Sequence, residues 1–200
     1  MGVDPSEQRI AIAEQTYADV PNPEFGFGRA DDLSRFASGN FDVVFVNSTL
    51  HWVQDQALAM KGFARVLKAR GRLDISGSRG DFVAAHERIK EFVLSREPFN
   101  QYPEESGPRF LTPAEMEGLL DAAGLVKREL VINRIVKHAK DGAEMVDWLD
   151  TSSSGATYGG IPVEMRTTAR EQMLVEWEKE TSEEGIDMAM ELLVVVATKT

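Results

Sequence analysis

The chain has 200 residues, enough for one substantial apolar core. Its 33 acidic against 22 basic side chains give a formal net charge of −11, which repels nucleic-acid phosphates, and the densest basic stretch, Arg65 to Arg72, interleaves its cations with apolar residues instead of forming a patch. With no cysteine, disulfides, thiolate metal sites and a cysteine nucleophile are excluded, and only His51, His86, His138 and carboxylates remain to hold a metal; none is expected.

The opening residues Met1 to Ser6 match the loose pattern for N-terminal myristoylation, but Gly2-Val3-Asp4 reads better as the end of a strand. The spacing then predicts a helix from Pro5 to Tyr17, with Asp4 as cap, Pro5 in the first position and Glu7 completing a capping box. Phe25-Gly26-Phe27 reads as a short strand. Phe41 to Val46 is a β-branched and aromatic run suited to a strand buried on both faces, and it stops at Asn47-Ser48. A helix from Gln54 to Leu67 should present Leu58, Phe63, Val66 and Leu67 to a core. Gly71 is expected to separate that helix from a strand at Arg72 to Ser76.

Asp81 to Arg96 reads as helix. Thr112-Pro113-Ala114-Glu115 is a capping box, Leu111 and Met116 are spaced as a hydrophobic staple, and Gly124 is placed to end the helix. Strands follow at Lys127 to Val136 and Glu191 to Thr198. Between them, helical patterns at Ala143 to Leu149 and Val163 to Glu180 flank the loop Ser152-Ser153-Ser154-Gly155. So long an insertion should pack as its own lobe over 141–187, beside a domain made of 1–140 and 188–200. The strand, helix, strand alternation argues for an α/β fold with a parallel sheet. No apolar run approaches the roughly 20 residues a bilayer span needs, and no secretory leader is present, so a cytoplasmic protein without membrane contact is expected.

Five stretches, in order, resemble the S-adenosylmethionine (SAM)-dependent methyltransferases of the trans-aconitate and ubiquinone/menaquinone-biosynthesis type. They are Gly2 to Ser6; Ala30-Asp31-Asp32-Leu33; Phe41 to Asn47 with Leu50-His51-Trp52; Arg65 to Lys68 with Gly71-Arg72-Leu73; and Phe110 to Pro113 leading to Ala122-Ala123-Gly124. The resemblance implies a Rossmann-like seven-strand sheet of order 3-2-1-4-5-7-6, with the last strand antiparallel and the cofactor across the carboxyl ends of the parallel strands. It implies that Asp4 binds the ribose hydroxyls, for which a carboxylate offers two acceptor oxygens, against the alternative that it caps a helix. Ala30 and Asp31 would meet the adenine, with Asp32 a competitor for the amino group; Arg29 stands where many relatives carry an aspartate. Asn47 and Ser48 would pass the methionine end of SAM, or merely end a strand.

His51 and Trp52 fall where donor and acceptor should meet, His51 as a candidate base and Trp52 as a substrate contact or packing residue. Arg79 and Arg109 are candidates to position a carboxylate acceptor. Trp148, Tyr158 and Met165 are candidates to line the acceptor pocket under the inserted lobe, or are the lobe's own core.

Relatives begin with a strand and an acidic, glycine-rich turn, and neither is found here, since Gly77-Ser78-Arg79-Gly80 has the wrong place and spacing. The expectation is therefore an N-terminally truncated sheet lacking its first strand, with weak or absent SAM binding and self-association through the edge of Phe41 to Val46. The function expected is O-methylation of a small molecule. Alternatives are a non-catalytic interaction module of the same fold and, more distantly, a nicotinamide-dependent oxidoreductase.

Overall fold

A computed structural model describes residues 1–104, 107–152 and 156–200. Six strands are present among the described residues: β1 (Gly2–Asp4), β2 (Phe25–Phe27), β3 (Phe41–Asn47), β4 (Leu67–Ser78), β5 (Leu125–Ala139) and β6 (Ile186–Lys199). They form a two-stranded sheet, β1-β2, and a four-stranded sheet of order β3-β4-β6-β5. β1 runs parallel to β2, and β3 runs parallel to β4. The helices are α1 (Glu7–Thr16), α2 (Gln56–Val66), α3 (Ala85–Leu94), α4 (Pro113–Ala122), α5 (Gly142–Ser152) and α6 (Arg166–Glu178).

The chain divides into two compact units. The first comprises Met1–Gly77, Phe110–Val131 and Leu193–Thr200, and the second Ser78–Arg109 and Ile132–Leu192. The second unit takes in residues 78–109 as well as the inserted stretch, a wider span than 141–187. Beyond Ser152, the serine-rich loop lies outside the described residues.

The core of the first unit is built by α2 and α4 against the sheet, with Met60, Phe63, Leu73, Leu120 and Val195 buried. Each such side chain contributes roughly 1.5–3 kcal/mol by leaving water. In α2 the buried set Gln56, Ala59, Met60, Phe63, Ala64 and Val66 follows the helical stripe. Leu58 falls outside that stripe and is exposed, contrary to the sequence expectation. α4 reproduces its capping box: Glu115 N–H donates to Thr112 Oγ1 at 3.2 Å and Thr112 N–H to Glu115 Oε2 at 2.8 Å. Gly124 follows with φ +69, the left-handed conformation that ends a helix at glycine.

Two local expectations need correction. α1 starts at Glu7, not Pro5, because Asp4 Oδ1 accepts from the Ser6 amide at 2.8 Å and Ser6 then caps the helix by accepting from Arg9 N–H at 3.3 Å. β4 begins at Leu67, directly after α2, so Gly71 lies within the strand rather than ahead of it. The register explains this: Phe41 faces Leu67 but Val43 faces Arg72, so two steps along β3 correspond to five along β4. The extra residues form a detour with Arg70 at φ +65. Gly71 turns so tightly there that a Cβ would come within 2.9 Å of the Lys68 carbonyl.

The second unit packs α3, α5 and α6 around Val93, Phe99, Met145, Trp177 and Met188. The pattern at Val163 resolves into a single 3-10 turn, Val163–Met165, ahead of α6. No helix among the described residues is long and apolar enough to cross a membrane.

Candidate functional site at the carboxyl ends of the strands

β3 ends in a pinned turn. The Ser76 hydroxyl donates to Asn47 Oδ1, the Ser48 amide donates to the Ser76 carbonyl at 2.8 Å, and the Thr49 hydroxyl donates to the Asn47 carbonyl at 2.9 Å. Ser48 is held at φ +48, a left-handed conformation that costs a residue with a Cβ about 1–2 kcal/mol. Strain of this kind persists where surrounding bonds over-determine the backbone, and here the paired strand β4 supplies them.

The chain then enters a 3-10 turn, Leu50–Trp52. Leu50 is its apolar anchor, and the buried Gln56 amide donates to the Leu50 carbonyl at 3.0 Å. His51 is thereby set between two aromatic neighbours, with ring centroids 5.1 Å from Trp52 and 4.8 Å from Phe110. Burial pushes the His51 imidazole down to about 4, with no charged group contributing to the shift. It is therefore neutral at physiological pH. Trp52 keeps 46% of its surface exposed.

Asp4 closes β1. Its Oδ1 is engaged by the Ser6 amide, and its Oδ2 lies 3.8 Å from Arg9 Nη1. The segment 29–32 is a tight turn in which the Asp32 amide donates to the Arg29 carbonyl at 3.1 Å. Arg29 grips Asp31 with a two-pronged fork, 2.9 Å to Oδ1 and 2.8 Å to Oδ2. That hydrogen bonding holds the Asp31 carboxyl below the usual range. Asp32 is exposed and accepts from the Ser34 amide at 3.1 Å. Ala30 is half-buried against the first core.

Asp4, Ala30, Asp31, Asn47, Ser48, His51 and Trp52 thus all lie in the first unit. Arg79 and Tyr158 lie in the second. Arg79 is engaged on both sides, by Asp81 at 2.9 Å and Glu191 at 2.6 Å. Those two carboxylates raise its pKa further above the ordinary arginine value. Arg109 is exposed, directly ahead of Phe110. Tyr158 is 7% exposed and donates its hydroxyl to Asp150 Oδ2 at 3.0 Å, while Trp148 and Met165 pack against the second core.

Two residues that sequence reasoning did not single out join the site. Ser76 locks Asn47, and Phe110 completes the ring cluster around His51; Phe110 opens one of the family-like stretches, but the place of either residue at the site follows only from tertiary pairing. A cleft of about 520 Å³ lined by Tyr17, Phe25 and Arg35 among others includes none of the candidate site residues. Among the described residues, no group of three or more histidines and carboxylates is placed to hold a metal ion.

Residues 1–75 match the family described as a methyltransferase domain. That match covers fewer than half of the chain's residues, and the fold agrees with it: the chain is similar to the class I SAM-dependent methyltransferases. It is 28% identical over 133 residues to an uncharacterized methyltransferase of Schizosaccharomyces pombe, an alignment that takes in 60% of this chain and 48% of that protein. The matched region thus spans about half the length of that curated relative. In structure it is similar to the YcgJ protein of Bacillus subtilis, with a TM-score of 0.69 at 18% identity over 99% of this chain and 81% of the other. It is also similar to a SAM-dependent methyltransferase from Methanosarcina mazei, with a TM-score of 0.57 at 16% identity over 99% and 80%.

Proposed function

We propose that the protein transfers a methyl group from SAM to an oxygen of a small molecule. The observation that carries this reading is the pinned turn at the end of β3, where a strained Ser48 and a neutral His51 follow a parallel strand. That strand is not buried on both faces as its sequence suggests, since Val46 is buried but Val43 and Phe45 are exposed. Open α/β sheets bind their ligands at the carboxyl ends of such strands. The sheet order supports it too. With β1 and β2 taken as the family's second and third strands, the orders β2-β1 and β3-β4-β6-β5 follow the 3-2 and 4-5-7-6 parts of 3-2-1-4-5-7-6.

The residues present fit the cofactor in part. Asp4 Oδ2 has capacity for a ribose hydroxyl, and Asn47 and Ser48 are candidates for the methionine end. The Asp31 carboxylate is already forked by Arg29, so the adenine edge is left chiefly to the backbone of Ala30 and Asp31. SAM supplies a methyl group already activated as a sulfonium, so the protein's share is alignment and exclusion of water. His51, uncharged at neutral pH, can take the proton that a hydroxyl acceptor must lose.

Calorimetric titration tests the reading. A SAM dissociation constant near 100 μM, worth roughly 5.5 kcal/mol, is expected, and one of about 1 mM or weaker sinks it. Self-association through the edge of β3 belongs to the same proposal. Val43 and Phe45 there are exposed, Phe45 by 70%, and sedimentation that stays monomeric over a hundredfold concentration range would remove it.

A further inference from the structure

Resting on that reading, we infer that the acceptor is an uncharged planar ligand with a hydroxyl donor, of phenol or enol type, received by His51, Trp52 and Phe110. The His51 ring is tilted by 52° to Trp52 and by 44° to Phe110. Their spacing is that at which aromatic faces and edges attract one another. Trp52 leaves nearly half its surface open, so a flat ring has a face to cover. Gly77 lies beside the imidazole, and the Cβ it lacks would stand in van der Waals contact with Nδ1 at 3.8 Å.

Charge decides between acceptor classes. No cation or carboxylate perturbs His51, whose neutral state follows from burial. A carboxylate seated against the His51 imidazole would lose water beside a ring that no charged group perturbs, which is costly. Arg79, the obvious sequence candidate for a counter-charge, is satisfied by Asp81 and Glu191. An uncharged hydroxyl meets no such penalty. It can donate to an imidazole nitrogen, for which no hydrogen-bond partner is found among the described residues, and the same hydrogen bond sets its oxygen beside the base.

Three probes of similar size separate the possibilities: 4-ethylphenol, 4-ethylbenzoate and 4-ethylcyclohexanol. Each is titrated into the whole protein without cofactor, following tryptophan emission. Because the chain has three tryptophans, the same titration is run on W52F, which isolates the signal of Trp52. Quenching by 4-ethylphenol that is at least tenfold tighter than by either other probe, lost in W52F and at least tenfold weaker in H51F, is expected. Equal or tighter binding of 4-ethylbenzoate, or quenching that persists in W52F, overturns the inference. A separate SAM titration keeps the two ideas apart: phenol binding at Trp52 without SAM binding leaves the ring site standing and removes the methyl-transfer reading. SAM binding without phenol binding does the reverse.

Discussion

His51 and Arg79 follow the ends of neighbouring parallel strands, β3 and β4, and either could be read from the sequence as the group that handles the acceptor. Their surroundings differ completely. His51 is enclosed by rings and perturbed by no charge, whereas Arg79 is engaged by two carboxylates. A residue's chemistry is thus set by what its neighbours leave undone. The uncharged histidine has its capacity in hand, and the arginine has spent most of its own on tying Asp81 to Glu191.

The largest expected effect comes from removing the proton acceptor. His51→Gln should lower kcat by about 100-fold or more while leaving the SAM dissociation constant within twofold; Arg79→Gln should lower the melting temperature and leave kcat close to wild type. A kcat loss in Arg79→Gln matching that of His51→Gln would erase the contrast. Next comes the scaffold beneath His51. Gln56→Ala removes one of two donors from the Leu50 carbonyl, which keeps the Val53 amide at 3.0 Å, and urea denaturation should record a loss of about 0.5–1.5 kcal/mol.

Acid should weaken the fold as well. Burial pushes His51 down to about 4, and burial with a smaller contribution from Lys90 does the same to His86. Between pH 6.5 and pH 4 the unfolded chain binds protons that the folded protein refuses. The stability present above pH 6.5 therefore falls as pH drops through that window. The urea midpoint should follow that fall, more shallowly in a His51→Gln/His86→Gln double variant. The smallest effect is expected at Arg29→Ala, which frees Asp31. Its carboxyl pKa, read by NMR, should rise toward the ordinary value with little change in melting temperature.

Sequence made some of this legible and hid the rest for physical reasons. α4 could be read in detail because Thr112, Pro113, Glu115 and Gly124 act within a single helix. The start of α1 could not, because Asp4 and Ser6 compete for one role and only the backbone decides that Asp4 bonds the Ser6 amide. Leu58 was misjudged because a helix's phase depends on which stripe meets the sheet, and the choice of Ala59, Met60 and Phe63 is made by the sheet. At the site, the segment from Asn47 to Trp52 stood out in the sequence. Ser76 and Glu191 did not, since each becomes a partner only through strand pairing across a long stretch of chain.

The detour between Leu67 and Arg72 makes chain length itself a determinant of the site. α2 passes into β4 with no loop to absorb an error, and the pairing of Asn47 with Ser76 is counted from that point. Side chains alternate faces along a strand, so a slip of one position inverts everything downstream. Deleting a single residue at 68–71 should turn Leu73 and Ile75 outward and carry Ser76 away from Asn47. Single-residue insertions and deletions should therefore be tolerated far less in this short stretch than in the exposed loop at 19–24, making it a measuring device fixed in its number of residues.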